Sequence, residues 1–277
     1  MKQEIDFIKF NPTQNMTILV NTEHPVEDYK YIASKIMSYD NVYAEQVGFI
    51  GKPLKDKADA NLYMAGGEFC GNACMALAAL VASRKNLVHN NFTKIFLEVS
   101  GTEELVMCHV KRSFNKYYCE IKMPIPENIE QRSIKYDKDY LETTVIQYKE
   151  FVHIVIEVEQ FTEIVRRSAE GLAKLLGSTL ETNLIGILLY KSKSNELAPL
   201  IYIPHLDSLV WERGCGSGTA SIGAYLYWKN KEDIAAPIKQ PGGTIKVMVN
   251  SNQGNLISLK IEGSVGIVAK GKAFIDV

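Results

Sequence analysis

The sequence predicts an α/β (α+β) protein of two similar halves, each with a sheet wrapped around a central helix. Three observations carry that expectation. The order of strand and helix signals in residues 1–125 recurs in residues 126–264. A Cys-Gly pair opens a helix in each half, at Cys70-Gly71 and at Cys215-Gly216, 145 positions apart. The helix after the first pair, from about Gly71 to Arg84, is apolar on nearly every face, which suits a helix enclosed by sheet rather than one lying on a surface.

The elements follow in order. Phe7-Ile8-Lys9-Phe10 reads as a strand, Asn11-Pro12-Thr13-Gln14 as a turn, and Met16-Thr17-Ile18-Leu19-Val20 as the next strand. Tyr29, Ile32, Ala33 and Ile36 recur at helical spacing within 26–38. Strands at 47–50 and 60–64 precede the Gly66-Gly67 break and the helix at Gly71. Segments 93–109 and 116–123 read as paired strands, and Pro124 and Pro126 close the half. The second half gives strands over 145–159 around His153, a helix over 165–176, and strands at 184–190 and 199–203. A helix runs from Gly216 to about Trp228, followed by strands at 244–248, 256–262 and 265–275. Such duplication predicts a site at the seam of the halves.

Composition narrows the functional classes. A net charge of −1 with no basic stripe argues against nucleic acid as a partner. No stretch approaches a membrane span, and the opening residues lack the apolar core of an export signal. Five cysteines in such a chain point to a reducing cytoplasm and unbridged thiols. The histidines are scattered and Cys70 and Cys74 are one helical turn apart, so no metal site is expected. Cys74, Cys108 and Cys119 lie in apolar patterns and read as packing residues.

Chemistry concentrates at the two helix entries. The first turn of a helix leaves amide N–H groups without intrahelical partners and carries partial positive charge. Gly71-Asn72 and Gly216-Ser217 therefore each offer a cradle for a small carboxylate, and the same field favours thiolate at Cys70 and Cys215. If both cradles hold one α-carboxylate, they also stabilise the charge that develops when the α-proton leaves. One thiolate would take that proton from one face and the opposing thiol would return one on the other. No metal or organic cofactor is needed for this. Taken singly, either cysteine is better explained as packing, and a disulfide would account for the pair in an oxidising compartment.

These residues resemble the diaminopimelate epimerase family from end to end, and within that superfamily the cofactor-independent histidine racemases of staphylopine-type opine metallophore pathways. The supporting stretches are 15–20, 45–50, 68–73, 199–204, Cys215 to Gly223, and Gln240-Pro241-Gly242-Gly243. The resemblance implies a diaminopimelate-epimerase-like fold of two pseudo-symmetric domains, each a curled, mainly antiparallel sheet around a central helix. It implies domains at 1–125 and 126–264, with the last strand, 265–277, returning to the first. Cys70 and Cys215 resemble the family's paired acid and base. The amides of Gly71, Asn72, Gly216 and Ser217 would hold the α-carboxylate, and Glu212 the α-ammonium. Asn15, Gln46, His153 and Asn183 fall at pocket-lining positions, and Glu45 matches an acidic residue of the histidine racemases. Several of these residues also have plain structural readings. Asn15 and Asn183 suit turns, His153 suits a buried strand position, and Arg213 is either a ligand for a distal carboxylate or a solvated rim charge.

The chain departs from diaminopimelate epimerases where those enzymes grip the far end of the substrate. Met64 and Phe151 stand in place of asparagines, and only Arg213-Gly214 separates Glu212 from Cys215. A distant charged group would lie unpaired there, which disfavours it. The expected substrate is a small amino acid, histidine first and diaminopimelate second, with a homodimer left open as the assembly. A binding module that uses the same cradles without catalysis is the rival from another class.

Overall fold

The computed structural model describes residues 2–85, 91–136, 139–180 and 182–276. The chain divides into two compact units, Met1–Lys122 with Glu262–Val277, and Met123–Ile261. Both boundaries fall a few residues before those expected from the sequence.

The first unit runs β1 (Lys2–Pro12), β2 (Thr17–Val20), α1 (Tyr29–Met37), β3 (Gln46–Gly51), β4 (Ala60–Met64), α2 (Gly71–Arg84), β5 (Phe92–Val99), β6 (Val106–Ser113) and β7 (Lys116–Lys122). Along β1-β2-β3-β4-β5-β6 the pairings are antiparallel, parallel, antiparallel, parallel and antiparallel. The two parallel joints are the ones spanned by α1 and by α2, because parallel neighbours require a crossover.

The second unit runs β8 (Asn128–Tyr136), β9 (Asp139–Gln147), β10 (Phe151–Glu157), α3 (Glu163–Gly177), β11 (Leu184–Lys191), β12 (Glu196–Ile203), β13 (Ser208–Trp211), α4 (Gly216–Asn230), β14 (Ile234–Gln240) and β15 (Gly243–Asn252). Along β9-β10-β11-β12-β14-β15 the same alternation recurs, with α3 and α4 at the parallel joints. The last strand, β16 (Asn255–Asp276), pairs antiparallel with β1 from Pro12↔Val265 to Lys2↔Asp276. It thus stands to β1 as β8 stands to β9. The expected α+β class, with a mainly antiparallel sheet curled about central helices, is what the chain adopts.

Each unit carries one amphipathic helix and one helix buried over most of its length. Ile32, Ala33 and Ile36 of α1 pack on Ile18, Val20, Val47 and Phe49. Ala169, Leu172 and Ala173 of α3 pack on Val152, Ile154, Ile185 and Ile187. In α2 every residue from Gly71 to Leu80 is buried, and α4 is buried over most of its length. Four stretches adopt strand without a clear sequence signal: β8, the start of β9, β13 and β14.

Candidate active site

Cys70 and Cys215 occupy the same local position in their units. Each is the N-cap of a central helix in extended backbone conformation, at φ −129° and ψ 110° for Cys70 and φ −109° and ψ 111° for Cys215. In each, the sulfur accepts the third amide of the helix, Ala73 N–H at 3.4 Å and Gly218 N–H at 3.2 Å. Sulfur here replaces the Ser, Thr or Asp oxygen that ordinarily caps a helix, and the macrodipole favours its anionic form. The Cys70 thiol also donates to Gln46 Oε1 at 2.5 Å. Gln46 and Glu45 are held at the start of β3 by their amides, both bonded to Met16 O. The loop before Cys70 packs so closely on Gly101, whose φ is +75°, that any side chain there would strike the backbone of Glu68 and Phe69.

Cys215 lies in a more elaborate setting. Its own N–H donates to Gln240 Oε1 at 2.7 Å, Gln240 Nε2 donates to Thr219 Oγ1 at 2.7 Å, and Thr219 Oγ1 donates to Cys215 O at 2.7 Å. Ser217 Oγ stands 3.5 Å from Cys215 Sγ. Burial pushes the thiol well above its ordinary pKa, and the charge of Glu212 and its hydrogen bond from the thiol push it further. Ser217 and the Gly218 amide pull the other way. Burial likewise raises the thiols of Cys74, Cys108 and Cys119, which sit in the interior of the first unit. No disulfide joins the cysteines.

The remaining predicted residues fall into distinct settings. Asn15 is fully buried in the β1–β2 turn, its carbonyl accepting from Thr17 Oγ1 at 3.1 Å. Gly71 and Asn72 are the first two residues of α2, and Gly216 and Ser217 the first two of α4. His153 is fully buried on β10, with Nδ1 2.8 Å from Ser221 Oγ on α4. Tyr148 OH shares that hydroxyl at 2.9 Å. The Nε2 atom of His153 has no hydrogen-bond partner among the described residues, and burial lowers the imidazole pKa to about 3. Gly186 makes room for the ring, since a Cβ at that position would collide with it. Asn183 is exposed, its amide reaching Glu150 Oε2 at 3.4 Å, in a polar cleft shared with Gln147, Lys149 and Thr182. Arg213 is exposed, with its guanidinium on Pro241 O at 3.4 Å. Met64 is buried beside Gly48, and Phe151 stacks on Tyr148 with centroids 4.2 Å apart.

Within the first unit, therefore, Gln46 and Cys70 meet directly, and within the second, Glu212, Cys215 and Ser217 do. Asn183 and His153 belong to separate surroundings in the second unit. Gln240, Thr219 and Ser221 were not singled out from the sequence, although Gln240 opens a Gln-Pro-Gly-Gly stretch and Thr219 lies four residues after Cys215, one helical turn.

A family model described as the histidine racemase CntK N-terminal domain matches residues 4–274. The chain belongs to the histidine racemase family. A histidine racemase of Staphylococcus aureus is 35% identical over 277 residues, 99% of each chain. One from Fusobacterium nucleatum is 32% identical over 279 residues, 99% of this chain and 97% of its own. Membership makes the chain an isomerase, and places it in the narrower of the two groups its motifs suggested. Among solved structures, a hydroxyproline epimerase from Agrobacterium vitis with bound trans-4-hydroxy-L-proline superposes with a TM-score of 0.72 at 10% identity. That match covers 99% of this chain and 93% of the other, and speaks to fold alone.

Proposed function

We propose that this chain racemises histidine without a cofactor, using Cys70 and Cys215 as the two acid-base groups. The observation that carries the reading is the matched pair of thiol caps, each followed by the first-turn amides that a helix leaves without intrahelical partners. The amides of Gly71, Asn72, Gly216 and Ser217 receive the α-carboxylate, and Glu212 the α-ammonium. One thiolate removes the α-proton, and the electron pair left on carbon delocalises into the carboxylate. The other thiol then protonates the opposite face, so the enzyme finishes with the charge on the other sulfur. Proton count and charge balance without any further reactant.

Asn15, Glu45, Gln46, His153 and Asn183 serve in lining or supporting the pocket, and Arg213 in forming its rim. Met64 and the Phe151–Tyr148 stack supply apolar and aromatic surface suited to an uncharged ring. The histidine racemase relatives favour this substrate over diaminopimelate. In an opine metallophore pathway of the staphylopine type, the D-histidine formed would be the building block consumed next.

The test is incubation of the purified chain with L-histidine in heavy water. The expected result is loss of the α-proton signal together with appearance of the D enantiomer. A chain that binds histidine yet leaves the α-proton in place is a binding module, and the proposal fails.

A further inference from the structure

We infer that Gln240 is a positioning residue for Cys215, acting through Thr219 as a latch on the second helix entry. The inference rests on the two-thiol reading above. Three hydrogen bonds close a ring: Cys215 N–H to Gln240 Oε1, Gln240 Nε2 to Thr219 Oγ1, and Thr219 Oγ1 to Cys215 O, each 2.7 Å. Gln240 and Thr219 are buried, so water competes poorly for these groups and the ring is strengthened. The ring grips the peptide groups on both sides of the Cys215 side chain. It therefore fixes the Cα–Cβ direction of the residue whose sulfur must meet the α-carbon. It also engages the Cys215 amide with protein, leaving the carboxylate to the amides that follow it.

The latch is braced from the turn that follows its strand. Gly242 N–H donates to Arg213 O at 2.7 Å, so the turn after Gln240 and the loop before Cys215 are tied together. The first helix entry is built otherwise. The position four after Cys70 is Cys74, whose thiol replaces the Thr219 hydroxyl, and Cys70 is held through its sulfur by Gln46. The Gln240–Thr219 ring thus acts on the main chain of Cys215. Loosening the latch should disturb Cys215 while leaving Cys70 in place.

That asymmetry gives a readout a general structural role does not move. With Cys70 intact and Cys215 misdirected, the proton taken by Cys70 exchanges with solvent and returns to the same face. For the enantiomer deprotonated by Cys70, deuterium uptake should then outrun inversion. We expect Gln240→Leu to lower kcat for inversion about 10-fold or more with KM within about 3-fold. The ratio of exchange to inversion should rise for one enantiomer of histidine only. Thr219→Val, which removes the hydroxyl while keeping the side-chain shape, should do the same, with Thr219→Ser bringing the ratio back towards wild type. Should Gln240→Leu not fold, Thr219→Val decides. A folded variant with unchanged kcat and ratio overturns the inference, as does an equal loss from both enantiomers at unchanged ratio. Cys215→Ser is the control on the underlying reading. If it still inverts histidine, the two-thiol reading is at fault. If it is inactive while the latch variants behave as wild type, only the latch is.

Discussion

In the proposed two-thiol scheme a thiol acting as a base is poorly served by burial, and Cys215 is where that conflict falls. Burial and Glu212 hold its proton on, while the helix amides and Ser217 offer partial compensation. In the same proposed scheme, a substrate ammonium received by Glu212 would cancel the carboxylate's charge and release that hold when it is needed. Replacement of either sulfur by oxygen should remove the chemistry, because an alcohol is a far weaker acid than a thiol. Cys70→Ser and Cys215→Ser are each expected to cut inversion of histidine by at least ~100-fold, read by polarimetry or chiral chromatography. Either variant retaining near-normal turnover would refute the two-base scheme. Glu212→Gln tests the electrostatics. It removes a cause that raises the Cys215 pKa, so the group ionises at lower pH and the alkaline rise of kcat should move downward in pH. KM should increase in parallel from loss of the ammonium partner. A profile unchanged in position would mean that Glu212 does not govern this thiol.

At the scale of elements, the central helices are the rigid supports that place the caps. α4 touches β15 closely enough that a Cβ on Gly223 would overlap Val247. Gly223→Ala should therefore cost about 1–3 kcal/mol despite the better helix propensity of alanine, measured by urea unfolding. A gain in stability would show that the contact is loose. The helices were also the most legible elements. The Cys-Gly entries, the Ala/Leu run of α2 and the spaced apolar residues of α1 and α3 are local patterns, and each helix formed where those patterns lay. The strands without a local sequence signal lack it for physical reasons. β8 shows no buried residue along its length, so no alternation marks it, and β13 is four residues long. β14 contains Pro237, a residue that argues against strand. The site divides in the same way. Cysteines and first-turn amides announce themselves by adjacency. Gln240 and Ser221 meet their partners 25 and 68 positions away, distances at which sequence pattern carries no signal.

At the scale of the whole molecule, the duplicated topology makes each half a control for the other. β1 needs a neighbour that β9 finds just upstream, and the chain supplies it from its far end in β16. Ala273 and Ile275 are buried in the first unit's core, so a chain ending at Ile261 should leave that unit unable to fold cooperatively. Loss of the first unit's share of the cooperative unfolding amplitude by circular dichroism, with the second unit's kept, is the expected outcome, and the full amplitude would show the strand to be dispensable. The halves also differ at one matched core position. Leu19 faces Gly48 across the parallel joint of the first unit, and His153 faces Gly186 across that of the second. Six residues after each cap, the first unit has Ala76 and the second has Ser221, which bonds His153. An apolar pair in one half is thus a buried polar pair in the other. His153 ordinarily titrates near 6.5 but is held to about 3 when folded, so the folded chain refuses a proton that the unfolded chain accepts. Its contribution is fully present above pH 6.5 and is lost as pH falls from there towards 3, by up to about 1.4 kcal/mol per pH unit. His153→Leu restores the pairing type of the first unit, and Tyr148 still satisfies Ser221. Urea unfolding at pH 7, 6 and 5 should show a shallower decline for this variant than for wild type, whatever its activity. Parallel declines would mean that other groups carry the acid sensitivity of the fold.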